Sequence, residues 1–110
     1  MKQGEIWLVN LNPTKGSEQH GVRPVVILSG NAMNDSLGIC IVCPISTRIK
    51  HYAGCFVLKK DKMNGLDSDS EVITFQIRTV SKNRMIKHLG HITTAQMERI
   101  KTGLSEILKY

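Results

Sequence analysis

A chain of 110 residues, 41% hydrophobic and 22% charged, has the size and composition of a single folded domain over residues 1–110. Its longest apolar runs are strand-length, and no apolar h-region follows Met1-Lys2, so membrane-span and signal-peptide patterns are excluded and a cytoplasmic protein is expected. Fifteen Lys and Arg against nine Asp and Glu give a net charge of +6, spread along the chain, which suits a folded basic surface and a polyanionic partner.

The first two-thirds of the chain read as strands and loops. Glu5-Ile6-Trp7-Leu8-Val9-Asn10-Leu11 alternates as a first strand, and Asn12-Pro13 ends it. Residues 14–21 form a polar loop bracketed by Gly16 and Gly21, longer than a hairpin needs. Residues 24–28 are a continuous apolar run, the pattern of a strand buried on both faces. Residues 30–38, with Asn, Asp and Ser, read as a connection; residues 39–45 are a third buried strand and residues 56–59 a fourth. A charged excursion over residues 60–70 turns at Asn64-Gly65, residues 71–80 alternate as a fifth strand, and residues 86–92 add a short one.

The end of the chain changes period. Thr93-Thr94-Ala95-Gln96 is a capping box, with Thr93 at the N-cap, Gln96 at N3, and Ile92 and Met97 as its staple. Met97, Ile100, Leu104, Ile107 and Leu108 recur at helical spacing and predict a helix of roughly four turns with one face on the sheet. The expected fold is therefore mainly β with a C-terminal helix, a small, partly open barrel. Cys40 and Cys43 have a C-x-x-C spacing, but an offset of three on a strand puts two side chains on opposite faces, and Cys55 brings no second pair. They read as core residues, and no metal site is expected.

Three polar clusters stand at strand ends. Ser17-Glu18-Gln19-His20-Gly21 runs through Val22 into Arg23-Pro24, which places Arg23 at the rim of the sheet facing the loop. Ser46-Thr47-Arg48 follows Pro44-Ile45. Gln76-Ile77-Arg78-Thr79 interrupts the fifth strand, where a spacing of two puts Gln76 and Arg78 on one face.

Together with Glu5-Ile6-Trp7, Asn12-Pro13 and Gly16-Ser17-Glu18-Gln19, these segments occur in the order and spacing of the MazF/PemK/Kid toxin family, which the chain resembles from Gly4 to the C-terminal helix. The resemblance implies an SH3-like barrel of the Kid/PemK/CcdB kind, a homodimer, and a sequence-specific endoribonuclease that cuts single-stranded RNA without a cofactor or metal and so inhibits translation. It also implies a cognate antitoxin that lays an acidic, partly disordered segment over the site. The catalytic arginine of the family corresponds to Arg23. The position of the threonine after the Pro-Ile pair holds Ser46, with Thr47 next, and either hydroxyl fits the role. Glu18, Gln19, His20, Gly21, Arg48, Gln76 and Arg78 are the expected RNA-binding set; Glu18 and His20 are also the two candidates for a general base.

One branch of the family uses a carboxylate and a basic residue where this chain has Phe75 and Ile73, and a loop histidine where it has Ser17, so those acid–base roles do not transfer. Two other readings remain at this level. A CcdB-like gyrase-binding toxin shares the barrel but depends on a C-terminal Trp-Gly-Ile, whereas this chain ends Leu108-Lys109-Tyr110. A non-catalytic SH3-like RNA-binding module would use the same basic surface.

Overall fold

A computed structural model describes residues 1–109 of the chain. Its strands are β1 (Glu5–Asn10), β2 (Val22–Ile27), β3 (Ile39–Ser46), β4 (Phe56–Leu58), β5 (Ser70–Val72), β6 (Arg78–Ser81) and β7 (Met85–His91), with helices α1 (Asn31–Ser36) and α2 (Thr94–Ile107). The sheet runs β4-β5-β3-β2-β1-β7, β6 adds to β3, and all pairings are antiparallel. The end strands β4 and β7 do not pair with each other, so the barrel is open. This is the mostly-β architecture with a C-terminal helix that the sequence predicts.

Alternation along β2 and β3 sends side chains to two separate cores. Ile6, Val26, Cys43 and Ile45 face α2 and pack with Met97 and Ile100. Val9, Val25, Ile27, Cys40, Val42 and Val80 make the other core. Cys40 and Cys43 thus lie on opposite faces of β3, both free and both buried. Full burial of a side chain such as Ile100 contributes about 1.5–3 kcal/mol. The capping box at Thr93 forms in both directions, and the staple residues Ile92 and Met97 are both in the first core.

Several expectations are corrected. Residues 30–38 are not merely a connection: Gly30 opens α1, whose Asn34 is buried and donates to the Ser29 carbonyl at 2.8 Å. The predicted strand over residues 71–80 is two strands with a 3₁₀ turn, Thr74–Gln76, between them. The cause is β3, whose outer edge pairs β6 along Ile39–Val42 and β5 at Ile45 and Ser46. Ile73 N–H still donates to the Pro44 carbonyl of β3, and the chain then leaves that edge, with Thr74 Oγ1 donating to the Gly54 carbonyl. Gln76 therefore sits in the turn and does not share a strand face with Arg78. Leu108 lies past the end of α2 and is exposed, so it is not part of the packed helix face.

Burial pushes the Cys43 thiol up to about 12, with neighbouring Cys55 adding to the effect, and burial also raises Cys40. Iodoacetamide at pH 8 should consequently label only Cys55 in the native protein and all three thiols in denaturant, as counted by mass spectrometry. Native labelling of Cys40 or Cys43 at the rate of a free thiol would show that β3 is not covered on both faces.

Candidate active site

The site begins where a ladder ends. The pairing of β2 with β3 runs from Ile27↔Val42 to Val25↔Pro44 and stops there. Its next rungs would put Pro24 opposite Ile45 and Arg23 opposite Ser46. Proline has no N–H to give to a ladder, and Pro24 stands at the first of those rungs on the edge that faces β3. The opposite edge of β3 continues there with β5, at Ile45↔Val72 and Ser46↔Glu71. Arg23 and Ser46 are left on the same sheet face across a gap.

That gap is a cavity of about 380 Å³. One wall is the loop from Gly16 to His20, the other is Ser46, Thr47 and Arg48, and Arg23 lies between them. The two candidate hydroxyls, the arginine and four of the expected RNA-binding residues (Glu18, Gln19, His20 and Arg48) thus come together from two separate stretches of sequence. Arg23 is half-buried and spends its Nε–H on the His20 carbonyl at 2.7 Å, which leaves both terminal nitrogens for a ligand. Ser46 is buried, and its Oγ accepts from Arg48 N–H at 3.2 Å, so its own hydroxyl proton is available to donate. Thr47 is exposed. Glu18 is exposed too, and its carboxylate accepts from Lys15 N–H at 2.7 Å within the loop.

The loop is fastened by its backbone. Gly21, at φ 76°, ends it: its N–H donates to Asn12 Oδ1 and its carbonyl accepts from Leu11 N–H. The expected RNA-binding residues Gly21 and Arg78 therefore serve the loop from below, since the Arg78 guanidinium donates to the Leu11 carbonyl at 3.2 Å. Gln76 also works on the loop. Its Oε1 accepts from Gln19 N–H at 3.2 Å and its Nε2 donates to the Ser17 carbonyl at 3.1 Å, so both ends of the amide are engaged.

Sequence reading missed a second cavity, about 270 Å³, which shares Ser17, Gln19, Ser46 and Arg48 with the first. Lys50, Tyr52, Ile73 and Phe75 complete it with Gln76. It also missed Glu71, which is fully buried opposite Ser46 and accepts Lys50 N–H at 2.8 Å and Tyr52 N–H at 2.9 Å on its two carboxylate oxygens. His51 adopts φ 54° between those two donors, and this turns both N–H groups toward one carboxylate. Among the described residues the ion pairs are His88–Glu5 and Lys101–Glu98, neither of which involves Arg23, Arg48 or Lys50. No three His, Cys, Asp or Glu side chains of the described residues gather as a metal-ligating group.

Because Gln76 clamps the loop twice, Gln76→Ala should speed hydrogen exchange of the Gln19 amide by about 5-fold or more, a loss of roughly 1 kcal/mol per bond, without changing the far-UV spectrum. An unchanged exchange rate would show that the loop does not lean on Gln76.

Comparison with known proteins fits this geometry. An endoribonuclease MazF from Staphylococcus saprophyticus is 34% identical over 105 residues, covering 94% of this chain and 88% of that protein. A crystal structure of MazF from Deinococcus radiodurans superposes with TM-score 0.85 at 24% identity, covering 100% of this chain and 97% of that one. A mycobacterial endoribonuclease in complex with its cognate antitoxin superposes with TM-score 0.81 at 21% identity, covering 99% of this chain and 95% of that one. Both superpositions bear out the fold. The family model of the PemK-like, MazF-like toxins of type II toxin–antitoxin systems matches residues 2–108, and the chain belongs to that family.

Proposed function

We propose that this toxin is an endoribonuclease that cuts single-stranded RNA at short sequences without a metal, and thereby inhibits translation. Membership of the toxin family and the name of the Staphylococcus relative support RNA cleavage. The observation that carries the mechanism is the placement of Arg23 and Ser46 on one cavity, at the split between β2 and β3.

RNA holds its own nucleophile, a 2′-OH beside each phosphate, so the protein need only orient it and stabilise the charge that develops. In the proposed reaction the 2′-oxygen attacks the adjacent phosphorus in line and loses its proton to a base. The bond from phosphorus to the 5′-oxygen breaks, and that oxygen takes a proton. The products are a 2′,3′-cyclic phosphate, or the 3′-phosphate from its hydrolysis, and a 5′-OH. The terminal N–H groups of Arg23 hold two phosphoryl oxygens as a fixed fork. Ser46 donates its hydroxyl proton to the same group, a role we assign to it ahead of exposed Thr47. Glu18 or His20, both at the cavity wall, takes the proton. Arg48 adds charge at the rim.

Arg23→Ala should lower cleavage by roughly 10²–10³, the range for one preorganised transition-state donor, with the fold intact. Ser46→Ala should be slower than Thr47→Ala, and wild-type cleavage should persist in EDTA. Near-wild-type activity of Arg23→Ala, or activity that returns only with Mg²⁺, would remove this mechanism.

The same charges suit the proposed partner, an antitoxin whose acidic, partly disordered segment covers the site, and the toxin is proposed to act as a homodimer. If RNA binding neutralises roughly four phosphates, affinity should fall about 50-fold between 50 and 200 mM salt, at a slope near −0.7 per phosphate. Antitoxin binding should weaken with salt as well, and should exclude an uncleavable RNA. A ternary complex in which neither ligand weakens the other would separate the two sites.

A further inference from the structure

The second cavity combines two cations with exposed aromatic rings. It opens beside Arg23's cavity through the shared Ser17, Gln19, Ser46 and Arg48, and Lys50, Tyr52, Ile73, Phe75 and Gln76 form its remaining wall. Tyr52 and Phe75 meet edge to face with centroids 5.2 Å apart, yet they are 46% and 49% exposed and belong to neither core. Rings left in water contribute little to folding, so their place in a groove calls for an apolar, planar occupant.

Gln19 supplies the polar complement. It lies at the junction of the two cavities, and its side-chain oxygen is buried without a hydrogen-bond partner among the described residues. A buried acceptor of this kind is costly until a donor arrives. Gln76, the other amide in the cavity, has both ends engaged by the loop and offers no free group.

We propose that the second cavity is a nucleobase subsite, which takes the base flanking the cleaved phosphate. Phe75 and Tyr52 stack the base, and Gln19 Oε1 accepts a hydrogen bond from the exocyclic amine of adenine or cytosine. Uracil and guanine present a carbonyl where adenine and cytosine present that amine, so the subsite selects against them. Lys50 holds the neighbouring backbone. The reading rests on the proposed ribonuclease activity, with the base-stacking residues as its new content.

The test uses the intact protein and short RNAs that span one mapped cut, with each base in turn at the flanking position. Wild type should favour adenine or cytosine over uracil by about 10-fold in kcat/KM. Phe75→Ala should lose roughly 10-fold at every base, and Phe75→Trp should retain activity, which separates stacking from a packing defect. Gln19→Met should erase the difference between adenosine and purine riboside, which lacks the amine, whatever it does to the absolute rate. If wild type cuts but these variants keep its rates and base profile, the subsite is elsewhere.

A binding arm separates this proposal from the nuclease reading. RNA with a 2′-deoxy sugar at the cut and 2-aminopurine beside it should lose fluorescence on binding wild type, and retain it with Phe75→Ala. Quenching without cleavage by any RNA would keep the subsite and overturn the nuclease; absence of quenching would overturn the subsite.

Discussion

The site depends on the place where the hydrogen-bonded ladder between β2 and β3 stops. Pro24 stands one rung past the last pair, on the edge of β2 that faces β3, and has no N–H to carry the ladder on. Had pairing continued, Arg23 and Ser46 would face each other at ladder spacing, about 4.5–5.5 Å between Cα atoms, with no room for a ligand. Separation of the strands turns that rung into a cavity, while the opposite edge of β3 stays paired with β5. Ser46 therefore stays buried and fixed although it no longer has β2 beside it.

Charge at the cavity follows from how the carboxylate beneath it is satisfied. Glu71 is buried and opposes Ser46, and a cation would be the usual partner for such a group. Its partners are instead the N–H groups of Lys50 and Tyr52, each bond to a charged acceptor worth roughly 1.5–3 kcal/mol. This fixes the segment that carries Tyr52 without drawing Arg48 or Lys50 into an ion pair. Arg23, likewise, gives only Nε to a neutral carbonyl. Gathering cations without compensating carboxylates costs stability through repulsion, and a polyanion relieves that repulsion on binding.

What the sequence disclosed and what it hid divide along a physical line. Features set by neighbours in sequence were legible: the strands over residues 5–11 and 39–45, the opposite faces of Cys40 and Cys43, and the capping box at Thr93 with its staple. So was the site's membership, because Ser17 to Arg23 and Ser46 to Arg48 are compact motifs. Features set by a partner strand were not. The alternation of residues 71–80 is real, but β3 offers two different edges along its length, and only tertiary contact shows where the chain must leave one for the other. The resulting turn decides that Gln76 clamps the loop and that Phe75 faces the second cavity. Glu71 was hidden for a similar reason, since a carboxylate that opens a strand reads as solvated until the backbone of residues 50–52 is seen to fold around it.

Anchoring of the loop links this geometry to rate. Ordering eight residues from a free coil would cost on the order of 10 kcal/mol at about 1–2 kcal/mol each. Here Asn12 and Gly21 close the base of the loop, Arg78 and Arg84 hold carbonyls of Asn10, Leu11 and Asn12, and Gln76 holds Ser17 and Gln19. Folding of the protein meets that cost before RNA arrives. Apart from the Glu18 carboxylate, which accepts from Lys15 N–H, these anchors leave the loop's side chains at the cavity unspent, because they hold backbone groups. Substrate binding energy is then not consumed in shaping the loop and remains for interactions that strengthen in the transition state of the proposed reaction. Arg23 belongs to both parts: its Nε bond ties it to the His20 carbonyl of the loop, and it lines the same cavity as Ser46 on β3.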